Sequence, residues 1–254
     1  MSLLRETYYI YLRNVRVWLS HPLNVASPIM FVVFFFLVFG TPLSSVTLLP
    51  GFPADDYKAF LTGMILVQAV VFSGSDTGFA MLTDILSGYF EKLLLSPVHR
   101  FSILLASLLT AGTRALMQAL VIVALALVLG VSFKGGVLGI IAVILMSCVF
   151  GIAWSSLGLM IALKTKNVQV TESTWLLFFP LVFMTTAFMP KEFLSGWFRV
   201  AVSVNPVNYV LEGIRVIVVE GWKWDVILPG LWVLVGMTVV LTSAAAWFYR
   251  RATG

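Results

Sequence analysis

The chain has 254 residues, of which 60% are hydrophobic and 11% charged, and its formal net charge is +5. Soluble domains hold about 45–50% apolar and about 25% charged residues, which excludes a water-soluble globule, a disordered chain and a basic nucleic-acid-binding domain. The 20 Phe, 8 Trp and 7 Tyr and a mean hydropathy of +1.03 are those of an integral membrane protein, whose basic excess belongs to its loops.

Residues 3–20 place Tyr8, Tyr11, Leu12, Val15 and Leu19 at helical spacing, with Arg5, Arg13 and Arg16 on another face. That pattern predicts an amphipathic helix in the membrane interface. No small-residue cleavage site follows, so no cleaved leader is expected. A hydrocarbon core about 30 Å thick takes about 20 residues of helix. Stretches 22–40, 59–83, 101–133, 135–163, 173–190 and 226–249 are predicted as six spans. The expected fold is therefore a single all-α transmembrane domain.

Two charges fall inside these spans, Asp76 and Arg114. At 1.5 Å per residue they lie roughly 12 Å and roughly 20 Å from the inner ends of their spans. An ionisable group at such depth marks a functional site unless a neighbour neutralises it, and these two meet if their helices are adjacent. Gly74 and Gly78 add a small-xxx-small surface for close helix approach, within one chain or across a dimer.

Segment 86–100, LSGYFEKLLLSPVHR, is expected as a short surface helix. Gly88 permits a bend, Glu91 and Lys92 face water, Leu93, Leu94 and Leu95 form an apolar ridge, and Pro97 ends the helix. Three consecutive leucines suit a groove on another protein better than bare solvent. Segment 191–222 is apolar but interrupted by Arg199, Glu212, Arg215 and Glu220, and Pro206 forbids one continuous helix. A re-entrant helical pair satisfies both constraints, since broken backbone is tolerated at depth when protein surrounds it.

With six spans both termini share a side. That side receives Arg5, Arg13, Arg16, Lys92, Arg100, Lys164, Lys166, Arg250 and Arg251, against Lys58, Lys134, Lys191, Arg199, Arg215 and Lys223 on the other. The basic excess predicts cytoplasmic termini. No phosphate-binding loop, dinucleotide fingerprint, zinc motif or nucleophile elbow is present in the sequence. Cys148 is the one cysteine, and His21 and His99 stand far apart. No catalytic residue, metal or bound cofactor is expected, so uphill work draws on a partner or an ion gradient.

The segment GYFEKLLLSPVHR (88–100) and the stretch MPKEFLSGWFRVAVSVNPVNYVLEGIR, with Pro190, Asn205, Pro206, Tyr209 and Arg215, resemble the membrane subunit of ABC-2 type exporters. This permease family includes drug-resistance and polysaccharide-export members, and the resemblance covers nearly the whole chain. It implies a separate ABC ATPase subunit in two copies, carrying ATP and Mg, and a second permease chain as homodimer partner. It also implies a bacterial inner-membrane location. Gly88, Phe90, Glu91, Lys92, Leu93, Leu94, Leu95, Ser96 and Pro97 would form the coupling helix, and the re-entrant pair would close the outer side. Phe31, Phe35, Phe179 and Phe183 are candidates to line the pathway. Cargo is read as a hydrophobic small molecule or lipid-like compound, with a polysaccharide or glycolipid second. A gradient-driven transporter or a non-transporting scaffold is the rival class.

Overall fold

The computed structural model describes residues 3–20, 22–172 and 174–253, and no strand occurs among them. The helices in chain order are α1 (Leu3–Leu19), α2 (Pro22–Phe35), α3 (Tyr57–Leu86), α4 (Tyr89–Leu95), α5 (Arg100–Val128), α6 (Gly136–Thr165), α7 (Val168–Glu172), α8 (Thr174–Phe183), α9 (Gly196–Val204), α10 (Pro206–Val219) and α11 (Trp224–Thr253). Local chemistry sets their ends. Asp56 caps α3 by accepting from the Lys58 backbone N–H at 2.9 Å. Asn205 caps α10 in the same way, with Pro206 in the first turn where its missing N–H costs nothing.

Four helices, α3, α5, α6 and α11, are long and apolar enough to cross a membrane. The chain is therefore a multi-pass membrane protein. The first and fifth expected spans are not unbroken α-helices. Span 22–40 is α2 followed by one wider helical turn, Phe36–Gly40. Span 173–190 is helical only to Phe183, then runs irregularly to Pro190. Pro180 lies inside α8, and the carbonyls of Leu181 and Met184 turn instead to the Asn205 side-chain amide, at 2.5 and 2.7 Å.

Segment 196–219 is the bent pair expected, with α9 and α10 meeting at 81°. Both of its flanks reach the same end of the bundle. Phe188 O accepts from the Tyr57 hydroxyl at the start of α3, and Val218 O accepts from the Lys134 N–H before α6.

The bundle is organised around α3. In its most apolar stretch 93% is buried by the rest of the chain, against 17% for α11. Its tightest partner is α6, and the Gly74–Gly78 surface is spent here. A Cβ on Gly78 would stand 2.4 Å from the Gly158 carbonyl oxygen, and one on Gly158 would stand 2.6 Å from that of Gly74. In lipid no hydrophobic force drives one apolar helix onto another, so close backbone packing supplies the attraction. Thr77 adds a hydrogen bond to Ser155 across the same crossing, at 3.3 Å.

Because the obstructing atoms are backbone, neither helix can yield to a side chain here. Gly158→Ala is expected to destabilise the bundle by about 1–3 kcal/mol or more, read as a lowered melting temperature in fluorescence-detected size exclusion. Gly236→Ala, where a Cβ meets nothing within 4 Å, is the neutral control.

Candidate functional site

Residues of interest gather at three levels of the bundle. At the end of the bundle where α3 and α6 begin, Arg215 on α10 is 3% exposed and uses its whole guanidinium. Nε donates to Phe60 O at 3.2 Å, Nη2 to Thr186 O at 2.7 Å and Ala187 O at 3.3 Å, and Nη1 to Thr186 Oγ1 at 3.1 Å and Glu212 Oε1 at 2.8 Å. Its Cζ also sits 3.7 Å from the Phe60 ring centroid. Asn208 Oδ1 accepts from the Thr186 N–H at 2.8 Å, and Thr186 Oγ1 also bonds Glu212. Four carbonyls freed where α8 unwinds, those of Leu181, Met184, Thr186 and Ala187, thus find donors on α10 or at its cap, as the dry interior demands. Asn205, Pro206 and Arg215 of the expected outer signature act together in this way. Tyr209 closes the bend by donating to Ser203 O at 2.9 Å. Pro190 stands apart, starting the short turn Lys191–Phe193.

The four pathway phenylalanines join into one ladder. Phe31 and Phe35 lie 4.4 Å apart between centroids, and Phe35 and Phe39 5.2 Å. Phe39 meets Phe188 at 5.5 Å, Phe188 meets Phe183 at 6.1 Å, and Phe183 stacks on Phe179 at 4.1 Å. The ladder ties α2 to α8 through the irregular stretch. Phe39 and Phe188 are the two rungs that bridge the helices.

At the opposite end of the bundle α4 is the short helix expected, with part of its face otherwise disposed. Gly88 takes a left-handed φ of +71° to turn the chain back from α3, where any side chain would be strained. Phe90 is buried and meets Tyr249 of α11 edge-on at 6.1 Å. Ser96 caps the carbonyl of Leu93, Pro97 ends the helix, and Glu91 and Lys92 are exposed. The three-leucine ridge needs correction. Leu93 and Leu94 pack against a small core of Ile10, Met81, Ile103, Leu104, Leu159 and Leu163, whereas Leu95 alone projects, at 88% exposure. On a 3.6-residue helix, three consecutive side chains cannot share one face.

Helix α1 is also redistributed. It packs along α5 with Glu6, Thr7, Ile10 and Trp18 buried, while Leu4, Tyr8, Tyr9, Val17 and Leu19 are exposed. Arg13 is not on a solvated basic face. It forms a two-pronged ion pair with Asp84 at 2.6 and 2.7 Å and lies 4.1 Å from the Tyr89 ring. Glu6 accepts from the His99 N–H at 2.9 Å and from Ser102 Oγ at 3.2 Å, capping α5 from outside. These contacts hold the Glu6 carboxyl below the usual carboxylate range, chiefly through the His99 backbone bond. Sequence reasoning missed both polar links, since each joins residues more than 70 positions apart.

Asp76 and Arg114 do come to one place, the wall of a cavity of about 430 Å³ between α1, α3 and α5. They do not form an ion pair with each other. Arg114 is buried beneath Trp18, whose ring centroid lies 5.7 Å from its Cζ, and Asp76 is exposed. Among the described residues no group of three or more His, Cys, Asp or Glu is placed to hold a metal.

A sequence profile described as the ABC-2 type transporter family matches residues 5–219. The daunorubicin resistance ABC transporter permease of Streptomyces coeruleorubidus is 29% identical over 233 residues, covering 89% of this chain and 78% of that protein. A probable doxorubicin resistance ABC transporter permease of Mycobacterium tuberculosis is 27% identical over 232 residues, covering 90% and 81%. A putative transport permease of Cyanophora paradoxa is 25% identical over 198 residues, covering 76% and 67%.

This network of carbonyls makes Arg215 intolerant even of lysine, which lacks the planar fork. Arg215→Met orphans three carbonyls and is expected to cost about 3 kcal/mol or more, seen as a loss of monodisperse protein. Arg215→Lys should rescue only part of it. At the α4 end, a depressed Glu6 pKa contributes stability that is complete above pH 4.5, its ordinary value, and is lost as pH falls through the lower folded value. Hydrogen exchange in α1 should therefore rise on acidification below pH 4.5 in the parent protein. In Glu6→Gln it should be raised at neutral pH and respond little to acid.

Proposed function

The chain belongs to the ABC-2 type transporter family, and from that premise we propose that it is the membrane subunit of an ATP-driven exporter of hydrophobic or lipid-like small molecules. The relatives named for daunorubicin and doxorubicin resistance support that class of cargo. The aromatic ladder between α2 and α8 supports it too, because it offers ring faces without charge to a planar apolar compound. In this reading α2 and α8 complete two further crossings for six in all, both termini are cytoplasmic, and the α9–α10 pair is the re-entrant outer closure. The home is a bacterial inner membrane. ATP and Mg bind a separate ATPase subunit, two copies of which serve a pair of permease chains.

The observation that carries the proposal is the construction of α4. Its outward surface is Leu95 with Glu91 and Lys92, and its inward surface is Phe90, Leu93 and Leu94. The inward side touches α11 through Tyr249 and shares a core with residues of α1, α3, α5 and α6. A push on Leu95 by an ATPase groove is thereby delivered to five helices at once. Gly88 lets α4 rock against α3 without unwinding it. The exposed face of α1, with Tyr8, Tyr9, Leu4 and Leu19 flanked by Arg5 and Arg16, suits the cytoplasmic lipid interface.

Leu95→Asp places a charge in the coupling contact and leaves the permease core untouched, unlike Leu94→Asp, which would disturb packing. The expected outcome is that affinity-tagged Leu95→Asp permease purifies at parental yield without its ATPase and gives no drug efflux from cells. Full recovery of the ATPase together with parental efflux would overturn the coupling assignment.

A further inference from the structure

The cavity between α1, α3 and α5 holds two opposite charges that do not meet. Arg114 is 6% exposed, and its Nε and Nη1 have no hydrogen-bond partner. Asp76 on the facing helix is exposed into the same space. The neighbouring charges are closed on themselves, since Arg13 and Asp84 pair bidentately at the cavity edge. Ser107 and Thr110 give their protons to Ile103 O and Ala106 O, so they offer the cavity only acceptor lone pairs. Trp18 and Phe79 supply apolar wall.

The depth of this cavity follows from helix lengths. Gly40 at the end of the first span packs on Lys58, so the outer ends of that span and α3 are level. Counting inward, Pro22 lies 18 residues before Gly40 and Asp76 lies 18 residues after Lys58. Asp76 thus stands level with the start of the first span. At 1.5 Å per residue the 30 residues of α3 measure about 45 Å against a hydrocarbon core of about 30 Å. The excess of about 15 Å corresponds to the ten residues beyond Asp76, which sets Asp76 at the edge of the lipid headgroup layer, where tryptophan is also favoured, and Arg114 about one turn deeper.

A guanidinium in the wall of the cavity is matched by a phosphate, which accepts from its fork. A carboxylate beside hydroxyl acceptors is matched by an ammonium. A volume of about 430 Å³ falls within the range of small-molecule sites, about 300–1,000 Å³. We propose that this cavity binds the headgroup of an aminophospholipid, with its phosphate on Arg114, its ammonium on Asp76 and its glycerol end along Trp18 and Phe79. The site is distinct from the aromatic ladder and from α4, and it does not depend on the transport reading.

The test is lipid binding by the purified full-length permease, followed by native mass spectrometry with phosphatidylethanolamine, phosphatidylglycerol and inorganic phosphate. The parent should retain phosphatidylethanolamine about tenfold better than phosphatidylglycerol, a difference of about 1.4 kcal/mol. Asp76→Asn should erase that preference while keeping phosphatidylglycerol. Arg114→Gln should lose both lipids by about tenfold or more. Ala80→Phe, which fills the cavity and keeps both charges, should block both lipids at an unchanged melting temperature, and it decides the matter if Arg114→Gln fails to fold. Equal retention of the two lipids by the parent, or undiminished phosphatidylethanolamine on Ala80→Phe, would overturn the proposal. Displacement of the lipid by millimolar inorganic phosphate would assign the site to a free anion and overturn it equally.

Discussion

The backbone contact between α3 and α6 is the constraint on which the rest of this bundle depends. Where Gly74, Gly78 and Gly158 meet, the two helices touch main chain to main chain. That fixes their separation, leaving α3 no exposed side over most of its length. Helices α2, α4, α5, α7, α8, α10 and α11 each pack against one of this pair, and α1 packs on α5. α5 lies against both, with Gly151 of α6 against Ala115 of α5, and α10 inserts between them at the outer end, with Gly135 and Gly139 against Ile217. Glycines thus substitute for a hydrophobic driving force that lipid does not provide. A rigid central pair also gives the two polar sites a fixed frame.

Much of this was legible in the sequence because membrane solvation leaves strong marks. A charge-free stretch of 20 residues has few alternatives to a spanning helix, so α3, α5, α6 and α11 were found directly. The Gly74–Gly78 pair was visible, but its partner Gly158 lay among many small residues of α6 and nothing local distinguished it. The helical end of the fifth expected span fell earlier than Pro190 because hydropathy does not register hydrogen-bond supply. Residues 184–190 are apolar enough for helix, yet Asn205 and Arg215 provide donors, and Asn208 an acceptor, that let the backbone leave it. A Glu212–Arg215 spacing of three residues, the neighbour distance on a helix face, was the one available hint that this arginine was paired rather than in a solvated loop.

Charged side chains were read least well. Arg13 and Arg215 both entered the count of loop charges, and both turn out to be internal links, one to Asp84 and one to Glu212. The sign of each residue was informative, but its partner was not, since the Arg13–Asp84 and Glu6–His99 links span 71 and 93 positions. The same holds for the aromatic ladder. Four of its members were named from their helices, whereas the junction through Phe39 and Phe188 exists only because the irregular stretch folds back over α2.

Two buried arginines show how differently one fold can treat the same group. Arg215 meets five oxygen acceptors and a ring, so nothing is left for a ligand and its role is to hold the outer pair in place. Arg114 sits at comparable burial with two N–H directions idle and a carboxylate nearby that does not close on it. Were stability the sole requirement, a shorter Asp76–Arg114 distance or an apolar pair would serve better, because a desolvated and unmatched charge is costly. The gap between them is bounded on one side by α1, whose own position is set by Glu6 at the start of α5 and Arg13 at the end of α3. A helix pinned at both of those points cannot lean inward to fill the space. The polar links of α1 therefore keep the cavity open, and the folding energy they contribute is what maintains an unsatisfied arginine in its wall.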